Sequence, residues 1–88
     1  MERVEAELFT DAGNDAVVRL PGRRFPGVLV QGDTLQILSA DIAELVELCA
    51  AGDLKEARQA ASLLQEELRA KLQRYTDALD AHGEQRPF

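Results

Sequence analysis

Two periodicities divide the chain. In the first thirty residues, Val4, Ala6 and Leu8 alternate with Glu5 and Glu7, the period-two pattern of a strand covered on one face. This predicts a strand over 3–9. Turn chemistry follows between Asp11 and Asp15, around Gly13-Asn14. The apolar run Ala16-Val17-Val18 then predicts a second strand over 16–20, and Val28-Leu29-Val30 a third over 28–31. The Pro/Gly segment between the last two is too short for a parallel crossover, so it closes an antiparallel hairpin.

From Thr34 the spacing becomes helical: Leu35, Leu38, Ile42, Leu45, Val46 and Cys49 recur at three and four, predicting a helix over 34–51. Asp33 with Gln36 fits a capping pair, and Gly52 stands where such a helix ends. A rival reading takes Gly32-Asp33 as a hairpin turn, 34–38 as a fourth strand and Ser39 as the cap of a shorter helix. Beyond Asp53, Leu54, Ala57, Ala61, Leu64, Leu68, Leu72, Tyr75 and Leu79 form one stripe, predicting a second helix over 54–82 that ends at His82-Gly83. The fold class is α+β: a three-stranded antiparallel meander followed by two antiparallel helices, the second long. The pattern reads as a single domain over 1–83, with 84–88 as a flexible tail.

The length of the second helix carries a consequence. At 1.5 Å per residue, a helix over 54–82 runs to about 43 Å, against a diameter of about 30 Å for a compact chain of this size. The stripe advances 25 residues in seven steps, close to 3.6 per step, the period of a straight globular helix more than of a two-stranded supercoil. Either its carboxyl half projects or a second subunit covers it. The sequence therefore predicts a homodimer or higher oligomer, with Leu64, Leu68, Leu72, Tyr75 and Leu79 at the interface.

Composition narrows the function classes. The 88 residues carry a net charge of −6, which argues against general binding to nucleic-acid phosphates. No apolar run approaches the roughly 18 residues of a membrane span, and the charged Met1-Glu2-Arg3-Val4-Glu5 start lacks an apolar leader core. A soluble, cytoplasmic protein is expected. Cys49 is the single cysteine and, among apolar helix positions, reads as a small hydrophobe.

One segment departs from this acidic background. The 17 residues from Ala16 to Gly32 hold Arg19, Arg23 and Arg24 and no acid, so removing their three positive charges from the total leaves −9 on the rest. Prolines 21 and 26 bracket Gly22-Arg23-Arg24-Phe25, a stiff basic tip in which planar guanidinium forks sit beside a ring able to stack. The competing interpretation pairs these arginines with the chain's own acids, since Asp33 to Glu56 contains six acids and only Lys55 as a base.

Other candidates are weaker. Gly22 and Gly27 have the GxxxxG spacing of a phosphate loop, but Val28-Leu29 follow where Lys and Ser or Thr are needed, so they read as turn residues. His82 reads as a favourable charge near a helix C-terminus. Asp41, Glu44 and Glu47 share a flank at spacing three and read as a solvated face, while Glu67 and Lys71 are spaced as a supporting pair. No complete catalytic, metal or cofactor motif is present.

From Gly22 to Leu35, the run Gly-Arg-Arg-Phe-Pro-Gly leading into Gln-Gly-Asp-Thr-Leu resembles a family of short bacterial proteins of unknown function, with an acidic helical remainder. The resemblance implies no chemistry. It does imply that Arg23, Arg24, Phe25, Gln31 and Asp33 share one surface. The reading that follows is a non-enzymatic interaction module, without a cofactor, whose arginine loop, including Arg19, engages an acidic partner. Two other classes remain open: an acidic inhibitor or immunity-type protein covering a basic toxin or enzyme, and a small-anion binder with a site between subunits.

Overall fold

A computed structural model describes residues 1–88. In chain order it contains β1 (Glu7–Leu8), β2 (Val17–Arg19), β3 (Gly27–Val28), α1 (Gly32–Ala50) and α2 (Leu54–Ala81). The three strands pair antiparallel in the order β1-β2-β3, with Glu7 opposite Arg19, Leu8 opposite Val18, Val17 opposite Val28 and Val18 opposite Gly27. This is the α+β meander and helix pair that the two periodicities predict. No helix is long and apolar enough to cross a membrane.

The strands are shorter than their apolar patterns. Pairing extends only as far as β2 offers a partner, so Val4 remains exposed. Val30 and Gln31 lead directly into α1, whose cap residue Gln31 is extended and makes no side-chain capping bond. The alternative with a strand over 34–38 is thus set aside. Asp33 is not the cap: it lies in the first turn, where its Oδ1 accepts the Thr34 N–H at 2.8 Å. Asp53 does cap α2, accepting the Glu56 N–H on Oδ1 at 3.2 Å.

Both helices end on a glycine. Gly52 and Gly83 have φ of 73° and 65°, the left-handed conformation that lets the next residue fold back. The N–H of Asp53 reaches the Leu48 carbonyl at 3.1 Å, and that of Glu84 reaches the Leu79 carbonyl at 2.9 Å. Each is the six-to-one bond of a Schellman ending, which satisfies carbonyls the helix leaves open.

The chain divides into two compact units: Met1–Val30 with Lys71–Phe88, and Gln31–Ala70. In the first, Val17, Tyr75, Ala78 and Leu79 form the buried cluster, with Phe9 and Val28 packed against it. Polar ties surround it. The Tyr75 hydroxyl donates to the Pro26 carbonyl at 2.7 Å, Arg74 Nη1 to the Asn14 carbonyl at 2.7 Å, and Lys71 Nζ to Asp15 Oδ1 at 2.7 Å. Lys71 therefore pairs with Asp15, not with Glu67. Asp15 itself has φ of 58°, a conformation that Asp and Asn tolerate better than most side chains. Residues 84–88 also take part: Glu84 accepts from Arg19, Arg86 pairs with Asp80 at 2.7 Å, and the Phe88 ring lies 6.3 Å from that of Tyr75.

In the second unit, α1 turns Thr34, Leu38, Asp41, Leu45 and Leu48 to the half-buried side but has no fully buried residue. Ala57 and Leu64 of α2 are its buried positions. Cys49, read as a small hydrophobe among apolar helix positions, is exposed.

Replacing Tyr75 by Phe removes the donor to the Pro26 carbonyl and leaves a buried acceptor unpaired, so urea unfolding should show a loss of about 1–3 kcal/mol. Burial raises the Tyr75 pKa above its usual value, and that sets the alkaline behaviour. The neutral phenol favours the fold fully below the unfolded value, and the advantage is lost as pH rises from about 10 through the folded pKa. Tyr75→Phe should lack that alkaline decline.

Candidate functional site

The stretch from Arg19 to Pro26 is held at three points along its backbone. At its start, Leu20-Pro21-Gly22-Arg23 forms a turn closed by the Arg23 N–H donating to the Leu20 carbonyl at 3.2 Å. Proline in the second position and a φ of 79° at Gly22 give it type II geometry, which disfavours any side chain at the third position. In the middle, Arg19 Nη1 donates to the Arg24 carbonyl at 3.3 Å. At the end, Tyr75 holds the Pro26 carbonyl.

Arg19 differs from the other two arginines. It stands on β2 across from Glu7, and its guanidinium binds Glu7 at 2.9 Å and 2.8 Å and Glu84 through two contacts of 3.2 Å. Its carbon lies 5.3 Å from the Phe9 ring centre, close enough for cation-π attraction. Only 17% of its side chain is exposed. The bonds to Glu7 and Glu84 raise its pKa, and the bond from Arg19 holds the Glu7 carboxyl below its ordinary value. Arg19 thus fixes the base of the loop, bound to two carboxylates of its own chain.

Arg23 and Arg24 are exposed, and neither forms an ion pair within the chain. Arg24 lies over the Phe25 ring at 5.0 Å. Arg23 and Phe25 border a shallow groove on the outer side of the β2–β3 hairpin, floored by Val18, Leu20 and Leu29. Period-two alternation explains the floor: Val17 points into the core, so Val18 and Leu20 point out. The loop therefore presents two free guanidinium groups and an aromatic ring at the rim of an apolar groove.

Gln31 and Asp33 belong to the other compact unit, at the start of α1. There Asp33 bonds to the first turn of the helix and Gln31 is its extended cap. Of the five residues named for the helical interface, Leu64, Tyr75 and Leu79 are buried within the chain, whereas Leu68 and Leu72 are exposed. His82 serves the fold, with Nε2 3.0 Å from the Phe9 carbonyl and its ring edge-on to Phe9 at 5.1 Å. No group of three or more metal-ligating side chains is assembled.

Of the two partners of Arg19, one was not visible in the sequence. Glu84 lies 65 positions away, beyond the helix end, and no local spacing signals such a pair. For Glu7 the signal was present: both residues stand on paired strands, and opposite charges directly across a ladder attract.

A carbon-detected NMR titration should find the Glu7 carboxyl below the ordinary value of about 4.3, and Arg19→Ala should return it there. By linkage, the stabilisation from this carboxylate is present above the unfolded value and is lost as pH falls through the lower folded one. Acid unfolding of Arg19→Ala should therefore lack that part of the decline.

No curated protein and no solved structure matches the chain. A protein-family model does match, over residues 1–88. By that match the chain belongs to a family of unknown function, DUF6959.

Proposed function

We propose that the protein is a non-enzymatic interaction module whose Arg23-Arg24-Phe25 tip binds an acidic segment of a protein partner. The observation that carries this reading is the three-point anchoring of the loop backbone by Leu20, Arg19 and Tyr75, with the side chains of Arg23 and Arg24 left free. A loop ordered in advance loses little conformational entropy on binding. Guanidinium forks match carboxylates in two-point geometry, and the groove floored by Val18, Leu20 and Leu29 suits an apolar residue next to them. An acidic peptide with an interspersed leucine or valine fits this chemistry. Most of the chain is acidic, so attraction is confined to this tip and fades within a Debye length of about 8 Å at physiological salt.

A specific observation keeps the inhibitor class as the second reading. Asp41, Glu44, Glu56 and Glu67 line one groove of the helix pair, and no cation lines it with them. Such a surface suits a basic partner.

Fluorescence anisotropy with a labelled Glu/Leu peptide and a labelled Lys/Leu peptide separates the two. Arg23→Ala with Arg24→Ala should weaken Glu/Leu binding by about tenfold or more, the equivalent of 1.4 kcal/mol, with little change in thermal stability because neither side chain forms an ion pair in the fold and the contact of Arg24 with Phe25 is exposed. Glu44→Gln with Glu56→Gln should leave that binding intact. If the double arginine variant binds the Glu/Leu peptide as the parent does, the proposal fails. Selective Lys/Leu binding lost with the glutamate changes would establish the second reading instead.

A further inference from the structure

The helix pair of the second unit has two unlike faces. At 100° per residue, Leu35, Ile42, Val46 and Cys49 fall on one flank of α1, and Asp41 and Glu44 on the other. On α2, Leu54, Ala61 and Leu68 likewise lie across the buried line of Ala57 and Leu64 from Glu56 and Glu67. Because Asp41, Glu44, Glu56 and Glu67 border one groove, the apolar flanks come together on the opposite face. That face is bare: Leu35, Ile42, Val46, Leu54 and Leu68 are each between 49% and 80% exposed.

We infer that a second copy of this chain covers this face, giving an isologous dimer with a four-helix interface. Two observations select a second copy. The first is size. The five large side chains and the alanines between them present apolar surface on the order of 500 Å², the upper range for a patch on a monomer and the right size for the apolar centre of an interface of about 800 Å² per partner. The second is charge. Two copies at −6 each repel across the acidic face, while the apolar flanks carry no charge and can meet themselves about a twofold axis. The inference does not depend on the arginine loop, which lies in the other compact unit.

This interface differs from the one expected from the helix stripe alone. It takes Leu35, Ile42 and Val46 from α1 and retains Leu68 from α2, but not Leu64, Tyr75 or Leu79, which the chain buries itself.

Sedimentation equilibrium from micromolar to near-millimolar concentration should show a monomer–dimer system. Ile42→Glu with Val46→Glu should weaken it by about two orders of magnitude in Kd with helical circular dichroism retained, since both side chains are exposed in the single chain. Glu44→Gln with Glu67→Gln should leave dimerisation intact or strengthen it. Cys49 supplies a second readout. Its labelling by a maleimide should slow as the parent chain dimerises, and should stay fast in the Ile42→Glu, Val46→Glu variant. A parent chain that is monomeric throughout, a larger assembly, or a dimer that persists in that variant would overturn the inference. Should the variant lose helicity, the parent's Cys49 decides alone: slowed labelling on dimerisation supports the interface, and undiminished labelling refutes it.

Discussion

The packing of the meander against the last turns of α2, centred on Val17 and Leu79, is the interaction on which the first unit depends. Strands of two and three residues are too short to persist as an isolated sheet. They exist because Val17, Phe9 and Val28 are apolar on the face that meets Tyr75, Ala78 and Leu79. Ties along the rim, such as Lys71 to Asp15 and Arg74 to the Asn14 carbonyl, direct the sheet but contribute less than the buried surface, as partly exposed ion pairs usually do.

The same packing gives three neighbouring arginines two roles. Arg19 belongs to a paired strand, and β1 brings Glu7 across from it while the Schellman turn at Gly83 brings Glu84. Its charge is consumed inside the fold. Arg23 and Arg24 fall beyond the strand, on the loop, and neither forms an ion pair within the chain. Charge segregation in the sequence pointed to all three as one surface, and backbone geometry separates them.

What the sequence disclosed follows the range of the interactions involved. Local signals read correctly at the Asp53 cap, the glycines that end both helices and the change of period after Gly32, while the alternation of Val4, Ala6 and Leu8 located β1 but not a covered face, since all three are exposed. Signals that depend on distant residues did not. Glu84 was taken for part of a tail and Lys71 for a partner of Glu67, because helical spacing shows which positions share a face but not what lies against it. Asp33 is a local case that misread, since Asp33 with Gln36 has the spacing of a capping pair while the helix begins one residue before it. Of the candidate site, the arginines and Phe25 were legible; the anchoring of their backbone through Tyr75, 49 positions from Pro26, was not.

The stripe of α2 shows how a correct period can still mislead about partners. The buried line runs through Ala57, Leu64, Tyr75 and Leu79, whereas Leu68, at the edge of that line within the helix pair, and Leu54 and Leu72 on its flank have the same spacing but are exposed. An apolar arc wider than the surface the chain covers is the mark of a helix that packs on more than one neighbour. The excess coincides with the flank on which α1 is also apolar, so two helices of independent sequence agree on one uncovered face. The arginine tip and this face are carried by separate compact units and differ in kind, one charged and one apolar, so the two proposed contacts would call on opposite kinds of surface. Substitutions at one should therefore leave the other unchanged, and their effects should add as they do for independent sites.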